Sequence, residues 1–310
     1  MTNTKKNLFQ TSEAIMRAYE EAEGNIDYPL TNDYMFRAFL QTNEPVLRGL
    51  IGALLHLKQE EIVEIKILNP IVLGATINNK EFVLDIHILL NNNTRINLEM
   101  QVSNQENWPE RALQYLCRSF DNLQKGAEYE ETLPAIHVGI LDFTLFPDEP
   151  EFYAKNMPMN VKTHRIFSDK FVLGVLSLKQ IELATKEDKE WHLDEWAKLF
   201  AAKTWREFKM IAKNNELFKS AGYELIKLNA DEQIREQCRA REDYERHERT
   251  VKKQLRELQQ ALDEQAIALA EKDSALAEKE SVLAEQAIEL AEKDKEIERL
   301  KKLYEESLAK

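Results

Sequence analysis

Helix-breaking residues are scarce in this chain and end early. The 310 residues include only eight glycines and eight prolines, and Pro158 and Gly222 are the last of each kind. Glycine and proline are the residues that most often interrupt regular structure. Their absence therefore predicts that roughly the final third of the chain is helical throughout.

Long apolar runs and closely spaced cysteines are also missing. No apolar run reaches the ~18 residues that a membrane-spanning helix needs, and the opening MTNTKKNLFQ lacks the apolar core of a secretory signal. Cys117 and Cys238 lie far apart, which argues against a zinc motif and favours two reduced thiols. We therefore expect a soluble, cytoplasmic protein with no membrane partner.

Negative charge predominates, with a formal net charge of -13. This charge argues against binding of nucleic acid over the whole surface. The charge is unevenly placed, because residues 255–310 alone contain 15 Asp/Glu and 9 Lys/Arg. A local basic groove in the preceding residues is compatible with this distribution.

The C-terminal segment contains the clearest repeat. A large apolar residue or a tyrosine returns every seven positions, at Leu255, Leu262, Leu269, Leu276, Leu283, Leu290, Ile297 and Tyr304. Such a stripe predicts a long helix that pairs as a coiled coil, which would make the protein a homo-oligomer. The second core position of each heptad is mostly Ala, Gln, Lys, Asp or Glu, so a solitary charged helix is the alternative.

The residues before this tail predict a globular part with alternating elements. Residues 28–185 suggest a helix, three strands, a helix and a strand, with a further strand at FVLGVLSL, the order of an α/β or α+β sandwich. Residues 186–230 have apolar side chains at helical spacing and predict a helical appendage. An N-terminal extension (1–27) and the long charged helix (231–310) complete the predicted domain organisation.

The stretch VLDIHILLNNNTRINLEMQVS predicts a strand, a turn and a strand with polar residues inside an apolar alternation. With a period of two, the apolar residues share one face, and the other face holds Asp85 and His87 on one strand and Asn97, Glu99 and Gln101 on the other. A turn with an odd number of residues would bring Asp85 beside Glu99. An even, unbulged turn would place them on opposite faces.

Neighbouring carboxylates at this position would favour a metal ion. Two carboxylates side by side repel unless a proton or a cation lies between them. Mg²⁺ prefers hard oxygen ligands and often uses one or two carboxylates plus phosphate oxygens, where it can polarise a phosphodiester and activate water. The alternative is a polar face that simply contacts solvent, as in many antiparallel sheets.

These residues resemble the Rpn family of recombination-promoting nucleases and putative transposases, within the PD-(D/E)XK superfamily. Asp85 followed by Glu99-Met-Gln101 is similar to the family's acidic strand pair. LTNDYMFRAFL resembles its first helix, NNKEFVLDI its lysine-containing approach to the acidic strand, and NWPERALQYLCRSFDNLQKGAEY its Arg-x-x-x-Tyr helix. The resemblance covers residues 28 to 205 in the family's order.

The resemblance implies both a fold and an activity. The fold is an α/β PD-(D/E)XK core, a mixed sheet flanked by helices, over residues 28–185. A helical extension and a long C-terminal coiled-coil helix follow it. The activity is metal-dependent hydrolysis of DNA by an endonuclease that promotes recombination. The alternative is a nuclease fold with little or no activity that acts as a coiled-coil assembly module.

The resemblance also assigns roles to individual residues. Asp85 and Glu99 would hold Mg²⁺, with Mn²⁺ as a substitute, and Met100 would add its backbone carbonyl. Gln101 would occupy the place of the fold's catalytic lysine, and glutamine is usual there in this family. The remaining assignments are auxiliary residues Asp33, Arg37 and Lys80, and contacts to DNA phosphates from Arg111, Tyr115 and Arg118. A solvated strand end is the alternative for Lys80, and a solvated helix face for the two arginines on the helix.

Overall fold

A computed structural model describes residues 12–71, 73, 85–103 and 107–308. The chain divides into two units, Met1–Tyr244 and Glu245–Lys310. The sheet and the helices around it all belong to the first unit. The second unit is a stretch of one helix.

A six-stranded mixed sheet forms the centre of the first unit. Its order is β1-β2-β3-β4-β6-β5, with β3, β4 and β6 parallel and the other neighbouring pairs antiparallel. The strands are β1 (Ile65–Ile67), β2 (Ile86–Leu90), β3 (Thr94–Gln101), β4 (Ala135–Leu141), β5 (Tyr153–Asn156) and β6 (Phe171–Ser177). The predicted strands are present, including FVLGVLSL as β6. The sequence pattern did not reveal β5, a four-residue edge strand without apolar alternation.

Helices flank this sheet and begin at polar caps. In the first unit they are α1 (Ser12–Glu21), α2 (Asp33–Thr42), α3 (Glu44–Leu55), α4 (Trp108–Phe120), α5 (Lys186–Glu190), α6 (Leu193–Ala201), α7 (Trp205–Ala212) and α8 (Glu216–Ala230). Asn32, Asn43 and Asn215 start α2, α3 and α8, because each side-chain oxygen accepts a backbone N–H of the first turn. The predicted α/β fold is therefore confirmed.

One face of the sheet packs into the main core. Ile88, Leu98 and Ile140 contribute to it from three neighbouring strands, and α2 and α3 supply further buried apolar residues. The same core contains Trp196 of α6 and Phe208 of α7. Residues 186–230, predicted as a helical appendage, therefore pack into the core that contains the sheet.

Helix α4 packs against the opposite face. Its residues Trp108 and Ala112 form a second cluster with Leu141 of β4 and Val175 of β6. A Cβ atom added at Gly139 would lie 2.2 Å from Cζ2 of Trp108, so the absence of a side chain lets the indole approach the strand. The polar face of the hairpin is therefore partly enclosed by a helix.

The long helix α9 (Glu232–Leu308) runs for 77 residues and confirms the predicted C-terminal helix. Its first turns belong to the first unit, where Ile234 and Cys238 are buried in the core. Farther along, the stripe leucines are exposed, with Leu269 at 61% and Leu283 at 63%. Pairing of this stripe stays a prediction. None of the described helices combines the length and apolar character that a bilayer crossing requires.

Candidate functional site

The turn between β2 and β3 sets the register of the site. Leu90 pairs with Thr94 and Ile86 with Leu98, so three asparagines form the turn. Asn91 and Asn92 have positive φ values of 50° and 57°, a conformation that asparagine tolerates better than most residues. Continuing this register by one residue places Asp85 opposite Glu99. The turn thus has the odd length that the juxtaposition requires.

Polar side chains of three strands meet on this face. β3 pairs with β4 in parallel so that Asn97 lies beside His137 and Glu99 beside Gly139. The relative exposures are 8% for Asp85, 6% for Glu99, 1% for Asn97 and 0% for His137. The alternative in which this face simply contacts solvent is therefore wrong.

A hydrogen-bonded bridge connects Asp85 to His137. The amide nitrogen of Asn97 donates to Asp85 Oδ2 at 3.2 Å and lies 2.9 Å from His137 Nδ1. Because an amide nitrogen can only donate, Nδ1 must accept, and the ring proton lies on Nε2. His137 Nε2 lies 3.5 Å from Glu99 Oε2.

The guanidinium of Arg111 lies on the other oxygen of Glu99. Arg111 Nη2 donates to Glu99 Oε1 and, at 2.6 Å, to Gln101 Oε1. The Gln101 amide nitrogen donates to the Ser103 carbonyl at 3.0 Å. The structure therefore pairs Arg111, predicted to contact a DNA phosphate, with a carboxylate. The position of the Arg111 nitrogen, in contact with both Glu99 Oε1 and Gln101 Oε1, shows that a positive charge is accommodated between these two oxygens.

Burial dominates the electrostatics of Asp85. Burial, followed by the negative charge of Glu99, raises the pKa of this carboxyl to about 6. The hydrogen bond from Asn97 and the positive charge of Arg111 act in the opposite direction. A proton thus binds Asp85 more readily than an ordinary aspartate. A cation would relieve the same repulsion.

The backbone carbonyl of Met100 is the third ligand that the resemblance implies. Asp142 N donates to the Gln101 carbonyl at 3.0 Å, so odd-numbered residues of β3 direct their backbone groups to β4. Backbone carbonyls point alternately to the two sides of a strand. The Met100 carbonyl is therefore directed away from β4 and toward the side of β2, the strand that begins after Asp85.

This donor set suits a hard divalent ion. Two carboxylates and a carbonyl are all-oxygen ligands, and one carboxylate atom, Glu99 Oε2, is buried without a hydrogen-bond partner among the described residues. In the described part of the chain, no cluster of three or more His, Cys, Asp or Glu side chains could hold a metal. A site here would therefore depend on this carboxylate pair.

Arg37 acts on the backbone of Asp85 rather than on its carboxylate. Its guanidinium donates to the carbonyls of Asp85 and Asn69, and burial lowers its pKa to about 10. Asn69 also donates to the Asp85 carbonyl at 3.0 Å and accepts from the His87 N–H at 2.8 Å. Together they fix the backbone at Asp85, immediately before β2 begins.

The other assigned residues have different surroundings. Asp33 pairs with Arg241 of α9 at 2.5 Å, so its carboxylate is bound to the long helix. Tyr115 lies near the site, with its ring centroid 6.1 Å from that of His137, and burial raises its pKa. Arg118 lies 6.0 Å from the Tyr115 ring centroid. Lys80 lies outside the described residues.

Two polar residues of the site received no role from the sequence. Asn97 was placed on the correct face, but nothing in the hairpin indicated that it bridges two strands. His137 lies about forty residues away in AIHVGIL, and only the parallel register of β4 brings it to Asn97. The one feature of the sequence that marks this position is a single histidine within an apolar strand.

Comparison with known families gives a match over most of the chain. The family described as PD-(D/E)XK nuclease family transposase matches residues 30–255, a range that includes Asp85, Glu99 and the whole described sheet. No curated protein and no solved structure matches the chain. The resemblance predicted from the sequence is thereby confirmed, and the chain belongs to the PD-(D/E)XK nuclease family of transposases.

Proposed function

We propose that this protein is a metal-dependent endonuclease that hydrolyses phosphodiester bonds of DNA and thereby promotes recombination. The observation that carries the proposal is the side-by-side burial of Asp85 and Glu99 on the sheet, with a cationic nitrogen on Glu99. Membership in a nuclease family supports DNA as the substrate. Burial of two neighbouring carboxylates is costly in free energy, and a bound cation would offset this cost.

Asp85, Glu99 and the Met100 carbonyl would hold Mg²⁺, and Mn²⁺ would substitute for it. When bound, the ion polarises the scissile phosphate and makes water a better nucleophile. Hard oxygen ligands and only two carboxylates match the preference of Mg²⁺ for sites that leave room for water and phosphate.

The remaining side chains would position substrate and water. Gln101 has an amide that can orient water by hydrogen bonding, but it cannot shuttle a proton as a lysine amine can. Arg111, once released from Glu99, carries a charge that can pair with the scissile phosphate. Tyr115 and Arg118 follow it at helical spacing on α4 and would contact neighbouring phosphates.

The carboxylate pair is tested by removing each negative charge. We expect Asp85→Asn and Glu99→Gln to nick plasmid DNA in Mg²⁺ about 100-fold more slowly than the wild type, because each variant loses an anionic ligand. Asp194→Asn is the matched control, since Asp194 is equally buried but pairs with Lys198 on α6. Equal nicking by wild type and both site variants would contradict the catalytic assignment.

The raised pKa of Asp85 predicts a pH-dependent stability. A carboxyl whose pKa is higher folded than unfolded destabilises the fold as pH rises toward the folded value, here about 6, and the penalty persists above it. In EDTA at pH 7.5, we therefore expect Asp85→Asn to raise the Tm by about 2–4 °C, with no gain at about pH 4.

Thermal unfolding at both pH values, with and without Mg²⁺, measures this effect. The metal should stabilise the wild type at pH 7.5 more than it stabilises Asp85→Asn. Asp194→Asn, which loses an ion pair with Lys198, should show no gain at either pH. A lower Tm for Asp85→Asn in EDTA at pH 7.5 would count against the electrostatic cost.

Arg111 should compete with the metal. Because its guanidinium lies on Glu99 Oε1, we expect Arg111→Gln to bind Mn²⁺ several-fold more tightly and yet to cleave DNA more slowly. Arg118→Gln is the control, since Arg118 lies by Tyr115 and should change DNA binding without changing metal affinity. Calorimetric titration with Mn²⁺ and cleavage assays separate the two effects. Weaker Mn²⁺ binding by Arg111→Gln would contradict the competition.

A second candidate function is assembly through the exposed stripe of α9. The stripe leucines are more than half exposed, and a seven-residue repeat of leucine favours pairing with a second copy. This role would stand even if the nuclease site had little activity, and it would make the protein a homo-oligomer.

Point substitutions test assembly while leaving the buried start of α9 intact. We expect the double variant Leu269→Asp and Leu283→Asp to sediment as a smaller species than the wild type, because charge in the seam opposes pairing. Ser274→Asp and Ser281→Asp add the same charge five residues after a stripe leucine and should not change the mass. A monomeric wild type, or an unchanged mass for the leucine variant, would refute this role.

A further inference from the structure

We propose that Asn97 and His137 are positioning residues that hold the carboxylates of Asp85 and Glu99 in the orientation a divalent cation requires. The inference rests on the proposed function and extends it to two residues outside the acidic motif. His137 lies on β4, a strand to which that motif assigns no site residue.

The side chain of Asn97 on β3 connects Asp85 to His137 on β4. It is 1% exposed, and its single amide nitrogen contacts both Asp85 Oδ2 and His137 Nδ1. Flipping the amide would direct its oxygen at the ionised carboxylate of Asp85, so this carboxylate favours the donor orientation. The Asp85 carboxylate therefore accepts a hydrogen bond from the Asn97 amide, a group that does not ionise.

His137 acts on the other carboxylate. Since Nδ1 accepts from Asn97, the proton lies on Nε2, and this atom lies 3.5 Å from Glu99 Oε2. Neither Nε2 nor Oε2 has a hydrogen-bond partner among the described residues, so the 3.5 Å between them is a close approach and not a formed hydrogen bond. The two buried atoms thus lie side by side with their hydrogen-bonding capacity unused, and a small shift would let Nε2–H donate to Oε2 and orient the Glu99 carboxylate.

The two contacts of Glu99 differ in how readily they can be exchanged. The Arg111 side chain is 24% exposed, whereas that of His137 is 0% exposed. A cation and a phosphate can displace a partly exposed arginine from Oε1. His137 then stays as the group that orients the carboxylate from Oε2.

Aromatic side chains hold the imidazole in place. Its ring centroid lies 6.3 Å from that of Trp108 and 6.1 Å from that of Tyr115, both on α4. Gly139, two residues after His137, admits the indole because it has no side chain. These neighbouring rings and its complete burial limit the orientations open to the imidazole.

Two substitutions at one position separate a positioning role from simple core packing. Glutamine places its amide near the position of Nε2 and can still donate to Glu99. Asparagine reaches only to the position of Nδ1, so it can still accept from Asn97 but not contact Glu99. Both are polar, and a residue that merely fills the core should tolerate them alike.

The experiment compares Mn²⁺ affinity in full-length wild type, His137→Gln and His137→Asn by calorimetric titration. We expect His137→Gln to remain close to wild type and His137→Asn to bind about 10-fold more weakly or worse, as for other residues that orient metal ligands. The Mn²⁺-induced rise in Tm should fall in parallel. Unchanged affinity for His137→Asn, or equal loss in both variants, would overturn the proposal.

Two further measurements keep the outcome decisive. Asn97→Ser shortens the side chain that connects Asp85 to His137, adds no bulk, and should also weaken Mn²⁺ binding. This variant tests the proposal if His137→Asn does not fold. Wild-type Mn²⁺ affinity in Asn97→Ser would overturn the proposal as well. Glu99→Gln reports on the metal site itself. Wild type that binds no Mn²⁺, or binds it independently of Glu99, refutes the proposed function together with this inference. Binding that depends on Glu99 but not on His137 refutes this inference alone.

Discussion

Repulsion between two buried carboxylates is the constraint around which this part of the molecule is arranged. Asp85 and Glu99 lie on one face of a sheet, enclosed enough that burial and mutual charge raise the pKa of Asp85 to about 6. A core of apolar residues would be more stable at this position. The surrounding groups therefore either donate to the carboxylates, as Asn97 does, or carry positive charge, as Arg111 does.

The backbone is fixed as firmly as the side chains. Arg37 of α2 and Asn69 both bind the carbonyl of Asp85, so the acidic residue begins its strand at a defined position. Asp33, one turn earlier on α2, pairs with Arg241 near the start of α9. The first turns of α9 thus form an ion pair with α2, the helix whose Arg37 binds the Asp85 carbonyl. Asp33 therefore links α2 to α9, and the auxiliary role that the resemblance implies for it stays a prediction.

Much of the fold was predictable because its signals are local. Alternation of apolar residues identified β2, β3, β4 and β6, and loss of glycine and proline predicted α9. The segment 186–230 was harder, since helical periodicity reveals an apolar face but not its partner. Only the structure shows that Trp196 and Phe208 pack into the core that contains the sheet.

The sequence by itself determined which residues share a face of the hairpin, because side chains alternate with a period of two once the turn is set. It therefore placed Asp85 on a polar face of one strand and Glu99 and Gln101 on a polar face of the other, and the three-residue turn in the structure makes these the same face. Tertiary structure decided what surrounds them. His137 reaches Asn97 only through the parallel pairing of β3 with β4, and Arg111 reaches Glu99 only because α4 packs over the sheet. Such contacts join residues distant in the chain, and no local periodicity records them.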